Sequence, residues 1–152
     1  MIPALAGLGA PHWRAEARAL ICGMSFATTK AHIVRAALEA QAHQAHDLME
    51  AFAADGVRWE KLRIDGGMAA NSWLCQFLAD ILQLPVERPQ YLETTALGAA
   101  FLAGLEAAVW SGLDELGSIR SRSDRFNPAM EEARRKRLIA GWQAAVRKTL
   151  TI

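Results

Sequence analysis

What this sequence lacks narrows it first. Cysteine occurs only twice in 152 residues. Cys22 and Cys75 each stand alone among apolar neighbours, without the paired spacing of a metal site or redox motif. The expectation is two buried free thiols, a usage that suits a reducing cytoplasm. No stretch approaches the roughly 18 consecutive apolar residues of a membrane span, and no positive N-terminal region leads into an apolar core. Membrane partners and export are therefore not expected. An excess of charge is missing too: 17 Lys and Arg against 16 Asp and Glu leave a net +1, which argues against a nucleic-acid surface. The one basic run, Arg134 to Arg137, follows Glu131 and Glu132. The four-residue steps to Arg135 and Lys136 favour helical ion pairs, so the run reads as a solvated helix face. Neither G-x-G-x-x-G nor Gly-Lys-Ser/Thr occurs, which excludes the dinucleotide fingerprint and the P-loop.

What is there suits one domain with a real core, since 52% of the residues are hydrophobic. The opening, 1–18, is rich in Pro and Gly and reads as irregular. An α/β core is expected over 19–110, and a loop and helix over 111–152. Strands are expected at Ala19–Met24, Lys61–Asp65 and Pro85–Arg88. Thr28 or Thr29 caps a helix reaching to about Ala54, with Val34, Leu38, Ala42, Ala45, Met49 and Phe52 as its apolar stripe. Leu74, Phe77, Leu78, Ile81 and Leu82 predict a helix over about Ser72–Gln83. A third runs from Thr94 or Thr95 to about Ala108, and its Gly98 and Gly104 each cost about 1 kcal/mol against alanine. Close approach by a neighbouring backbone or a ligand would explain them. The stretch 111–127 reads as loop, and a last amphipathic helix spans about Ala129–Thr149. Strands alternating with helices predict an α/β layer with a largely parallel sheet.

The chemistry concentrates in one place. Asp65-Gly66-Gly67-Met68-Ala69-Ala70-Asn71 closes a strand on two glycines and opens a helix beneath an asparagine. In α/β folds ligands sit beyond the carboxyl ends of strands, where glycine lets a ring or phosphate reach the backbone. The same residues also suit a plain turn, and Asn71 a plain helix cap. His32, Glu39, His43 and His46 share one helical face, and the last three could hold a metal in principle. Polar residues on a helix surface explain them as well. Asp47, Asp80 and Asp114 carry no local signature of a catalytic base. The five tryptophans read as packing anchors.

Three longer stretches carry a family likeness. "ALICGMSFATTKAHIVRAALE", residues 19–39, resembles the second signature of the FGGY carbohydrate kinases. "DGGMAANSWLCQFLADIL" is similar to that family's adenine-side segment, and "ETTALGAAFLAG" to the helix that follows it. Within the family, "GLGAPHW", "TTKAHIVRAALEA", "VERP" and "AGWQAAV" are most similar to glycerol kinases. Phe26 departs from the Arg common there, and His12 from a frequent Tyr.

The resemblance implies part of a ribonuclease-H-like domain of the actin and hexokinase type, lacking its first β-hairpin. It implies one partial C-terminal kinase domain over 1–152. The whole enzyme would transfer the γ-phosphate of ATP to glycerol with Mg²⁺. Gly67 and Asn71 would contact the adenine of ATP or ADP, with Gly66 permitting the approach. The family's catalytic Asp, polyol-binding residues and phosphate loops would lie upstream of the matching stretch. No catalytic or metal-binding residue is therefore carried over, and the chain alone is expected to be inactive. Another FGGY sugar kinase, or a non-catalytic nucleotide-binding or oligomerisation module, are the alternatives. Loss of the first hairpin leaves a strand edge open, which predicts a homo-oligomer through Lys61–Asp65 or the Thr29–Ala54 helix.

Overall fold

The spacing of Leu74, Phe77, Leu78, Ile81 and Leu82 folds as a helix, and all five are buried. In the computed structural model, which describes residues 1–119 and 123–151, nine elements follow the irregular opening. They are α1 (Lys30–Ala54), β1 (Leu62–Arg63), a 3₁₀ turn (Gly67–Ala70), α2 (Ser72–Leu82), β2 (Val86–Pro89), α3 (Thr94–Glu106), α4 (Leu113–Ile119), β3 (Ser123–Phe126) and α5 (Glu132–Leu150).

Helices α1 and α2 pack together at a small residue, Ala42, which is wholly buried between them and the sheet. The sheet runs β1-β2-β3, with β1 parallel and β3 antiparallel to β2. Val86 is the inward residue of β2 and joins the α2 side chains in the main core. A second cluster forms where the opening segment meets the long helices: Ile2, Ala4, Leu8 and Ala17 pack on Ala40 of α1 and on Trp142, Ala145 and Val146 of α5. Here the indole N–H of Trp142 donates to Asp47 at 2.7 Å, so the ring is buried with its polar edge satisfied.

Several expectations need correcting. Ala19–Met24 forms no strand. Leu20 makes one antiparallel bridge with Ile2, while Ile21 to Met24 are exposed. An apolar run becomes a strand only when another strand receives its hydrogen bonds, and beyond that bridge no partner lies beside it among the described residues. Cys22 is accordingly exposed, whereas Cys75 is buried as expected. The expected loop at 111–127 contains α4 and β3. The sheet is therefore mixed: its third strand is polar, and pairing with β2 holds it in place. Of the tryptophans, Trp13 is 77% exposed and anchors no core.

Helix α3 buries only Gly104. Its first glycine, Gly98, faces open space, whereas a methyl group at Gly104 would overlap the indole of Trp110. The close approach expected of both glycines is met at one, and the neighbour is an aromatic side chain.

Candidate functional site

The chain leaves the sheet through Ile64, whose N–H donates to Glu87 O at 3.1 Å, and reverses at Gly66, whose N–H donates to Leu92 O at 2.8 Å. Gly66 has φ 78 and ψ 175, a region that essentially only glycine occupies. Backbone geometry alone thus accounts for the first glycine. Gly67 needs no such conformation, and a methyl group there would meet nothing within 4 Å. What Gly67 keeps clear is the space outside the protein.

From Gly67 the 3₁₀ turn delivers the chain to Asn71. The Asn71 side-chain oxygen accepts from Leu74 N–H at 3.2 Å, capping α2. The side-chain NH₂ of Asn71 has no hydrogen-bond partner among the described residues. The residue can cap the helix with one end of its amide and meet a ligand with the other. The two readings of Asn71 are therefore compatible.

The turn stands at the carboxyl ends of β1 and β2, beside a cleft of about 790 Å³ lined by Ala70, Arg88, Pro89, Gln90, Leu92, Ser123 and Asp124. Its inner side is held down by two groups. The Cys75 thiol donates to Ala69 O at 3.2 Å, and burial pushes that thiol's pKa up, so it stays a neutral donor. Arg88 donates to Ala69 O at 3.0 Å, to Ala70 O at 3.3 Å and to Ser72 Oγ at 3.2 Å. Outside the sheet Glu87 joins β2 to β1, accepting from Arg63 at 3.2 Å and Lys61 at 3.4 Å. Hydrogen bonding from Arg63 is the main reason its carboxyl titrates below the usual range.

Gly66, Gly67 and Asn71, the sequence-predicted contacts, thus lie on one continuous turn. Arg88 was legible only as a strand residue, because its contacts depend on strand pairing and on backbone 18 and 19 residues away.

The histidine face does not assemble as a ligand set. His32 accepts from Thr29 N–H at 3.0 Å at the start of α1, and Glu39 pairs with Arg35 at 2.8 Å. His43 stacks on Trp142, with ring centroids 5.2 Å apart, and His46 lies 3.8 Å from Glu50. Among the described residues no three His, Cys, Asp or Glu side chains gather to hold a metal.

Residues 1–107 match the model of the FGGY family of carbohydrate kinases, C-terminal domain. The chain is 53% identical to the glycerol kinase of Gluconobacter oxydans and 52% identical to that of Rhodospirillum centenum, over 99% and 98% of its own length. It spans about 30% of the length of these curated relatives. The crystal structure of Plasmodium falciparum glycerol kinase with ADP superposes with a TM-score of 0.83 at 44% identity, covering 98% of this chain and 30% of that one. A ligand-bound xylulose kinase from Lactobacillus acidophilus shares the fold, with a TM-score of 0.73 at 24% identity over 99% of this chain and 31% of that one. Among the described residues no helix is long and apolar enough to cross a membrane.

Proposed function

We propose, because this chain belongs to the FGGY family of carbohydrate kinases, that its Gly66–Asn71 turn receives the adenine of ATP or ADP in a cytoplasmic, ATP-dependent glycerol kinase. The observation that carries the reading is the contrast between the two glycines. Gly66 is required by its own backbone, whereas Gly67 is left bare toward open space, on the same turn whose Ala70 lines the cleft. A flat ring lying on Gly67 would bury that bare backbone, and the Asn71 NH₂ would supply a donor beside it. The relatives' names support the kinase and its polyol, and the ADP-bound relative supports the nucleotide.

Residues 1–152 are taken as one partial C-terminal domain that contributes binding and no catalytic side chain. Phosphoryl transfer rests on positioned charges, metal and a base, which the resemblance places upstream of the matching stretch. Any Mg²⁺ belongs to the whole enzyme. Self-association belongs to the same proposal: β1 borders the sheet with one edge unpaired, a template for another strand. Light scattering across a dilution series should show a dimer or larger species.

A chimera tests the function directly. This chain, replacing the matching 30% of the Gluconobacter oxydans glycerol kinase, should phosphorylate glycerol in a coupled ADP-release assay, while the chain alone should not. A folded chimera that binds glycerol yet never turns over, or turnover by the isolated chain freed of contaminating kinase, would contradict the proposal.

A further inference from the structure

We infer that Arg88 is a positioning residue for the nucleotide turn, a clamp that sets the height of the Gly66–Asn71 backbone. The inference rests on the reading of that turn as the adenine contact. Arg88 lies directly opposite Asp124 in the antiparallel β2–β3 pair, and Val86 lies opposite Phe126. Opposite residues share a face of the sheet, and diagonal neighbours remain within reach of long side chains. Asp124 consequently accepts from Nε at 3.2 Å and from Nη2 at 2.6 Å, and the guanidinium carbon lies 5.2 Å from the centre of the Phe126 ring. These contacts fix the plane of the guanidinium and leave Nη1 pointing at the turn.

Nη1 then reaches two consecutive carbonyls, Ala69 and Ala70, and the hydroxyl of Ser72 at the first position of α2. Two adjacent carbonyls drawn toward one cation turn both peptide planes inward. The outer face of the turn, with Gly67 at its start and Asn71 at its end, keeps one orientation. A planar fork can hold the Asp124 carboxylate on one side and carbonyls on the other, whereas a lysine ammonium supplies charge without that geometry. β3 thereby becomes part of the site through Asp124.

The test measures two quantities on the full chain, for the wild type, Arg88→Lys, Arg88→Ala and Asp124→Asn. One is the carbonyl ¹³C shift of Ala69 and Ala70, and the other is the adenosine dissociation constant by NMR titration. The expected result is that Arg88→Lys melts close to the wild type, yet moves both carbonyl resonances and weakens adenosine about tenfold. Arg88→Ala should do the same or more, and Asp124→Asn should fall between Arg88→Lys and the wild type. Unchanged carbonyl shifts in both Arg88 variants would overturn the clamp. So would shifts that move while adenosine affinity stays the same, or Arg88→Lys matching the wild type in both. If adenosine fails to bind the wild type, the reading of the turn as an adenine contact fails. The role of Arg88 in positioning nucleotide then falls with it, while the carbonyl shifts still report whether it holds the backbone.

Discussion

Asp80 of α2 accepts the backbone N–H groups of Ala129 and Met130 with a single carboxylate oxygen, at 2.8 and 3.1 Å. The same oxygen accepts from Gln76 at 3.0 Å, and Gln76 donates again to Asn127 O at 2.8 Å. The segment that follows β3 is thereby tied to the buried side of α2 before α5 begins. Arg135 completes the junction from α5 by donating to Ile81 O at 2.7 Å, one of the carbonyls left unpaired at a helix end. The basic run is thus a solvated face with one inward exception.

Asp80→Ala should therefore destabilise the chain by about 1–3 kcal/mol, the cost of stranding N–H groups that lose their acceptor. Asp80→Asn keeps an acceptor and should cost less. Chemical denaturation measures both, and an unchanged Asp80→Ala midpoint would mean that solvent replaces the carboxylate without loss.

Stability should fall as acid is added, with His43 contributing. The residue is 6% exposed, its ring stacked on Trp142 and edge-on to Phe77, and its buried Nδ1 has no hydrogen-bond partner among the described residues. Burial first, then the charge of His46 and of the N-terminus, lowers its pKa from 6.5 to about 4. The unfolded chain then binds the proton more readily than the folded one. The neutral ring's full contribution is present above about pH 6.5 and is lost as pH falls toward about 4, removing roughly 3 kcal/mol. His46 is also lowered, mainly by burial and against the pull of Glu50, and adds to the same slope. His43→Phe should flatten the stability curve between those pH values, and an unaltered slope would exclude His43 as its source.

The two glycines of α3 should respond oppositely to alanine. Gly98→Ala meets open space and should stabilise by about 0.5–1 kcal/mol through helix propensity. Gly104→Ala drives a methyl group into the Trp110 indole, and overpacking of about 1–3 kcal/mol outweighs that gain. Thermal melts of the pair decide it, and matching shifts would contradict the contrast.

Helix positions were legible from spacing, and for α2 so was the buried face, whereas in the expected stripe of α1 Ala42 is buried but Val34 and Phe52 are exposed. The expected Ser72–Gln83 helix is observed as Ser72–Leu82, and Asn71 caps it. Elements that need a partner were not. The apolar Ala19–Met24 run finds no strand to pair with beyond the single bridge at Leu20, while the polar Ser123–Phe126 segment becomes a strand because β2 receives it. The site divides in the same way. Gly66, Gly67 and Asn71 stand in one local motif, visible in the sequence, whereas Arg88, Asp124 and Asp80 act across 18 to 50 residues. Spacing in one dimension carries no trace of such contacts.

The most direct measurement of the central claim is a calorimetric competition between adenosine and ATP on the isolated chain, with and without Mg²⁺. On the proposed reading the turn addresses the ring end of a nucleotide, and the donors that would grip the phosphates are not part of it. The expected result is weak binding of both ligands, with affinities within about threefold of each other and little change on adding Mg²⁺. Gly67→Ala should weaken both ligands while leaving the melting temperature in place, and Asn71→Ala should weaken both at some cost to the cap of α2. Tight ATP binding that depends on Mg²⁺, ignores adenosine and survives Gly67→Ala would contradict the assignment of this turn to the adenine.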